Sequence, residues 1–140
     1  MGFNSGKDNL TDLEVDGLMI VRSDASTAAT NLLGGVGFDS TDGNVPSSIT
    51  EASAFIAAYA AEAHGAGDKG ADLVFGTSVI NDDDDTASTE HVRILDSGLV
   101  GIGTDSPTAK LEIEQGSSGG QIAFKIDNDD TDKIAMSVEA

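Results

Sequence analysis

Three groups of residues carry types and spacings that could do chemistry. Gly101-Ile102-Gly103-Thr104 contains a Gly-x-Gly of the kind that lets a backbone close on a phosphate. A dinucleotide loop needs a third glycine three residues after the second, and that position is Ser106. The second group is acidic: Asp82, Asp83, Asp84 and Asp85 in one run, and Asp127, Asp129, Asp130 and Asp132 in another. Carboxylate oxygens at this density suit calcium, a hard cation. The later run begins like an EF-hand loop, but Lys133 and Val138 fall at ligand positions, and Asp132 stands where that loop turns on glycine. Solvated acidic loops are the alternative for both runs. The third group is the two histidines, His64 and His91, for which surface roles are the simpler reading. With no cysteine there is no thiolate nucleophile, thiolate ligand or disulfide. Serine and carboxylates are spread along the chain without a triad or acid pair that can be located. These residues predict no enzyme and no cofactor, with calcium the one ligand the acidic runs would fit.

The elements that must position these residues are mostly strands. Leu, Ile, Val and Phe make up about 24% of 140 residues, above the level below about 20% that signals disorder. Seventeen glycines break the apolar runs, there is no Trp, and the five Phe are expected in the core. So thin a core predicts that partner chains complete it. Seven Lys and Arg against 25 Asp and Glu give a net charge of −18, which repels a nucleic-acid duplex or an anionic bilayer. No run approaches the ~20 apolar residues of a membrane span, and the N-terminal MGFNSGKDNL lacks the apolar core of a signal peptide. A soluble protein without nucleic-acid or membrane partners is expected.

Apolar alternation around Gly17 predicts a hairpin with strands at 11–16 and 18–23, and a second hairpin joins Leu111 and Ile113 to Ile122, Phe124 and Ile126 across Gly116–Gly120. DLEVDG at 12–17 and KLEIEQG at 110–116 look alike, suggesting one small β unit used twice. Further strands are predicted at 72–80, 91–95, 99–102 and 110–115, with Asp96-Ser97-Gly98 as a turn and Pro107 in a connection. Between them VPSSITEASAFIAAYAAEAHG reads as a helix at about 49–63. Ser48 and Glu51 have capping-box spacing, the interior is rich in Ala, and Gly65 lies just past the end. Its stripe of Ala52, Phe55, Ile56, Tyr59 and Ala63 would cover a sheet face or a neighbouring subunit; an aromatic binding stripe is the sharper alternative. The expected fold is mainly β, with short strands and hairpins and one short α-helix. It forms a single domain over 1–140, with small β units at 11–23 and 92–138 flanking a helix-containing segment at 32–80.

RILDSGLVGIGTDSPTAKLEIE resembles a recurrent element of bacteriophage tail-fibre and related virion appendage proteins. There, arginine-isoleucine and a turn precede Val-Gly-Ile-Gly-Thr, then two residues, Pro, and Lys-Leu. The matching positions are Arg93-Ile94, Val100 to Thr104, Pro107 and Lys110-Leu111. Segments 34–78 and 124–140 resemble such fibres less specifically. Many members continue into a C-terminal self-cleaving chaperone domain, and the residues up to Ala140 hold nothing of that kind.

The resemblance implies a homotrimer in which short strands from three chains pack or intertwine. Val100, Ile102, Leu111 and Ile113 would lie in the trimer interface, and Gly101 and Gly103 would allow close approach at a crowded strand or turn. A turn strained within one subunit is the alternative for the glycines. The function implied is that of a non-enzymatic virion structural protein at the particle surface, as a tail fibre or a capsid decoration subunit. Its partners would be copies of itself and other virion proteins. The alternative is a module that binds host-surface glycans, for which one Tyr and no Trp offer few stacking platforms. A polysaccharide hydrolase would need clustered acids in a groove.

Overall fold

The computed structural model describes residues 19–23, 26–40, 45–82, 86–116 and 124. Six strands form one sheet: β1 (Leu32–Phe38), β2 (Ala54–Ala60), β3 (Ala71–Thr77), β4 (Thr89–Ile94), β5 (Val100–Ile102) and β6 (Leu111–Ile113). Their spatial order is their sequence order. Neighbours run antiparallel through β5, and β6 lies parallel to β5.

The expected helix at 49–63 is a strand. The capping box forms, with the Ser48 side chain accepting from the Thr50 N–H and Glu51 Oε2 accepting from the Ser48 N–H, but it opens only one 3-10 turn, Ile49–Glu51. The chain then extends into β2. Phe55, Ile56 and Tyr59 fit a helical period, yet Phe55, Ala57 and Tyr59 also fit a period of two, and β1 and β3 hydrogen-bond both edges of this segment. Tertiary pairing outweighs the Ala propensity. Of the first predicted hairpin, 11–16 lies outside the described residues, and 19–23 carries no strand. The partner hairpin strand at 122–126, apart from Phe124, and the first copy of the sequence repeat at 12–17 lie outside them as well, while the second copy at 110–116 carries β6. The predicted strands at 72–80, 91–95, 99–102 and 110–115 are present as β3 to β6, while β1 was not expected.

Alternation and register sort the side chains into two faces. On one face Phe55, Ala57 and Val74 are buried, with Leu32, Ile49 and Tyr59 packed against them. The 3-10 turn lies over this face, where a Cβ on Gly35 would strike the Ile49 side chain. Elsewhere among the described residues the sheet is approached by Pro107 and the Thr104 backbone at Gly101 and by Ile20 at Gly34.

Candidate functional site

The matched element folds as one unit, and the structure assigns each of its residues a place. The Asp96–Gly98 turn is closed by bonds from the Leu95 N–H to the Leu99 carbonyl (2.9 Å) and from the Gly98 N–H to the Leu95 carbonyl (2.8 Å). Between β5 and β6 the eight residues Gly103–Lys110 carry the chain back to the start of a parallel strand, a shorter crossover than the dozen or so residues usual for parallel neighbours. Pro107 is buried, and a Cβ on Gly101 would strike the Thr104 carbonyl oxygen and approach the Pro107 ring. Gly103 has φ +77, with the Glu114 carbonyl where a Cβ would point. Close approach and backbone conformation within one chain therefore account for both glycines, the alternative stated above. Glu112 fastens the connection by accepting from the Thr108 N–H (2.6 Å) and hydroxyl (2.9 Å). Those bonds hold its carboxyl below the usual 4.5.

Arg93 organises the other end of the covered face. Its Nε and Nη2 donate to the two carboxylate oxygens of Glu90 at 2.7 and 2.6 Å, and Nη1 donates to Asp72 at 2.9 Å. The guanidinium lies 5.8 Å from the Tyr59 ring centroid. Hydrogen bonding to Glu90, opposed by desolvation and aided by Asp72, raises its already high pKa, so the charge is permanent. Burial, then the Glu90 charge, pushes the Tyr59 hydroxyl above its usual 10.0. A cavity of about 500 Å³ opens beside them, lined by Thr30, Tyr59, Asp72, Glu90, Arg93 and Asp96 among others. Its polar groups largely satisfy one another, an arrangement that clamps β3 to β4.

The opposite face is different in kind. Val100 pairs with Leu111 and Ile102 with Ile113, so the four residues expected at a trimer interface stand together. The register continues their surface through Val92 and Ile94 to Leu73, Phe75, Ile56, Val36 and Phe38. Leu111 and Phe38 are each 57% exposed and Phe75 is 36% exposed, while Val92, Ile94, Val100 and Ile113 are half-buried. The strands contain four formally charged residues, Asp72, Glu90, Arg93 and Glu112, and all four belong to the covered face. Soluble sheets place apolar side chains on the covered face and charges on the open one. Here the open face is the apolar one, spread across six strands of a chain with net charge −18.

The phenylalanines depart from expectation. Phe55 is buried, while Phe38, Phe75 and Phe124 are exposed; facing strands in a single layer leaves one side of each strand uncovered. Among the described strand residues no charge shares the face of Phe38 and Phe75 to bind sugar hydroxyls, and one face of Tyr59 is engaged by Arg93. Of the calcium candidates, Asp82 is exposed, while Asp83, Asp84, Asp85, Asp127, Asp129, Asp130 and Asp132 lie outside the described residues. Among the described residues no three carboxylates or histidines converge on one point. His64 Nε2 lies 3.2 Å from the Gly70 carbonyl, and His91 is exposed on β4. Sequence reasoning missed Arg93 as a clamp and most of the apolar face. Leu73-Val74-Phe75 reads as one continuous run, and only the register separates the two outward side chains from the buried one.

No protein-family model matches the chain, and comparison with curated proteins found no similar one.

Proposed function

We propose that this chain is a non-enzymatic structural protein of a phage particle, a homotrimeric tail-fibre or capsid-decoration subunit that works by assembly. The observation that carries the reading is the uncharged open face. The residues of the virion-type element, Val100, Ile102, Leu111 and Ile113, form one end of an apolar surface that stays largely exposed among the described residues, with Ile20 lying against Gly34 toward its other end. Contiguous exposed apolar patches on monomers rarely exceed a few hundred Å², and larger ones mark interaction sites. Burying this face between chains removes it from water, and the segregated carboxylates stay outside and keep the assembly dispersed. The glycan-binding alternative has weaker support, because the exposed aromatic rings lack polar groups beside them to fix a sugar.

Native mass spectrometry of the full chain tests this. The wild type should show species whose masses are multiples of three chains. Leu111→Asp, at a position exposed within the single chain, should abolish the three-fold species while leaving circular dichroism unchanged. A wild type that stays monomeric at micromolar concentration overturns the reading.

A further inference from the structure

We propose that the cavity of about 500 Å³ beside Arg93 binds a neutral, hydroxyl-rich ligand, a polyol or a single sugar residue. Its volume falls within the roughly 300–1,000 Å³ of small-molecule sites. It lies where β2 ends and β3 begins, on the face opposite the apolar one, so the proposal stands apart from the assembly reading. The polar groups missing beside the exposed phenylalanines are present here, and they satisfy one another only in part. Arg93 has five N–H donors and spends three on Glu90 and Asp72. Those two carboxylates each accept two bonds, Asp72 taking its second from the Asp96 N–H, and each has room for about two more. The Thr30 and Tyr59 hydroxyls and the Asp96 carboxylate line the cavity with no hydrogen-bond partner among the described residues.

This mixture of donors and acceptors selects the chemistry of the ligand. A hydroxyl does both, so a molecule bearing several can donate to the carboxylates and accept from Arg93 and the two hydroxyls. An ammonium ion only donates, and it would meet the permanent Arg93 charge with nothing to accept its remaining N–H groups. An anion only accepts, and it would meet three carboxylates. The backbone adds an independent sign. Thr30 has φ +69, in the left-handed region where a β-branched residue is an outlier. It is the third residue of a turn closed by the Asn31 N–H on the Ala28 carbonyl at 3.2 Å, and glycine or asparagine usually fills such a position. Its own N–H donates to the Ala60 carbonyl at 2.7 Å, which seats it against the end of β2. A strained residue that glycine would suit, held at the rim of a polar cavity, marks a place where the side chain and not the turn is needed.

Tyr59 is the one tyrosine of a chain without tryptophan, so tyrosine fluorescence of the full chain reports this cavity alone. Methyl α-glucoside, methyl β-galactoside, N-acetylglucosamine and mannitol serve as probes, with methylammonium and acetate as charged controls. At least one of the four neutral probes should give a saturable change, and neither ion should. Thr30→Gly should weaken that binding about tenfold while raising the thermal midpoint by a few degrees, since it removes a hydroxyl and relieves the backbone. A Thr30 of structural importance only would move the midpoint without moving binding. Asp96→Asn, outside the Arg93 clamp, should weaken binding with the midpoint unchanged. Leu111→Asp should bind as the wild type does, which separates this site from assembly. Dextran and chitin oligosaccharides form a second arm: binding of these together with their monomers assigns the ligand to a glycan, and binding of monomers alone assigns it to a free sugar or polyol. No saturable change with any neutral probe, binding of methylammonium or acetate instead, or a Thr30→Gly variant that binds as tightly as the wild type would overturn the proposal.

Discussion

Arg93 shows how much of the architecture rests on single side chains. Its fork matches the two oxygens of Glu90, a third donor reaches Asp72 on the neighbouring strand, and its plane covers Tyr59. Lysine supplies the charge as one point without the fork or the stacking surface. Arg93→Lys should therefore lower stability by about 1–2 kcal/mol, a fall of roughly 3–8 °C in calorimetric midpoint for a domain of this size. An unchanged midpoint would mean that the clamp contributes charge alone. Gly101 makes a different demand. The backbone of Thr104 occupies the place of its missing side chain, so Gly101→Ala should cost about 1–3 kcal/mol through overpacking. Because the obstruction lies inside one chain, the same loss should appear in the Leu111→Asp background. A loss confined to the assembled protein would instead put the crowding between subunits.

At the scale of elements, β4 to β6 were legible in the sequence because their turns are marked locally: Asp96-Ser97-Gly98 closes one connection and Pro107 stops another. Leu111 and Ile113 alternate with Lys110, Glu112 and Glu114 clearly enough to give a strand and its apolar face. Residues 54–60 were not legible as a strand, since the competing helix had a correct cap at Ser48 and Glu51 and good propensity beyond it. What decides the matter is pairing with β1 and β3, information held elsewhere in the chain. β1 itself escaped notice because three glycines in seven residues dilute the alternation. The loop that turns the chain from β5 to β6 also carries a pH dependence. Hydrogen bonds from Thr108 hold the Glu112 carboxyl below its usual 4.5. Its contribution is then present above the unfolded value and lost as pH falls through the lower folded value. Thermal midpoints measured from about pH 7 to about pH 3 should fall more steeply for the wild type than for Glu112→Gln below pH 4.5. Parallel curves would show that the carboxylate is not engaged in solution.

The described residues form a single sheet whose strand charges and exposed apolar side chains lie on the reverse of the usual sides, and the proposed assembly would bury the apolar face. Three chains of net −18 repel one another, and the repulsion grows as screening lengthens from about 8 Å at 0.15 M salt to about 30 Å at 0.01 M. Sedimentation should show weaker association at the lower ionic strength, and equal association would mean that bound counterions already neutralise the carboxylates. The central claim, that the open face is where copies meet, is tested most directly by oxidative footprinting of its side chains against protein concentration. Phe75 and Leu73 should become protected as concentration rises and chains associate, while Tyr59 on the covered face keeps constant reactivity. Phe75 and Leu73 that react equally in the dilute chain and in the assembled protein would contradict the account.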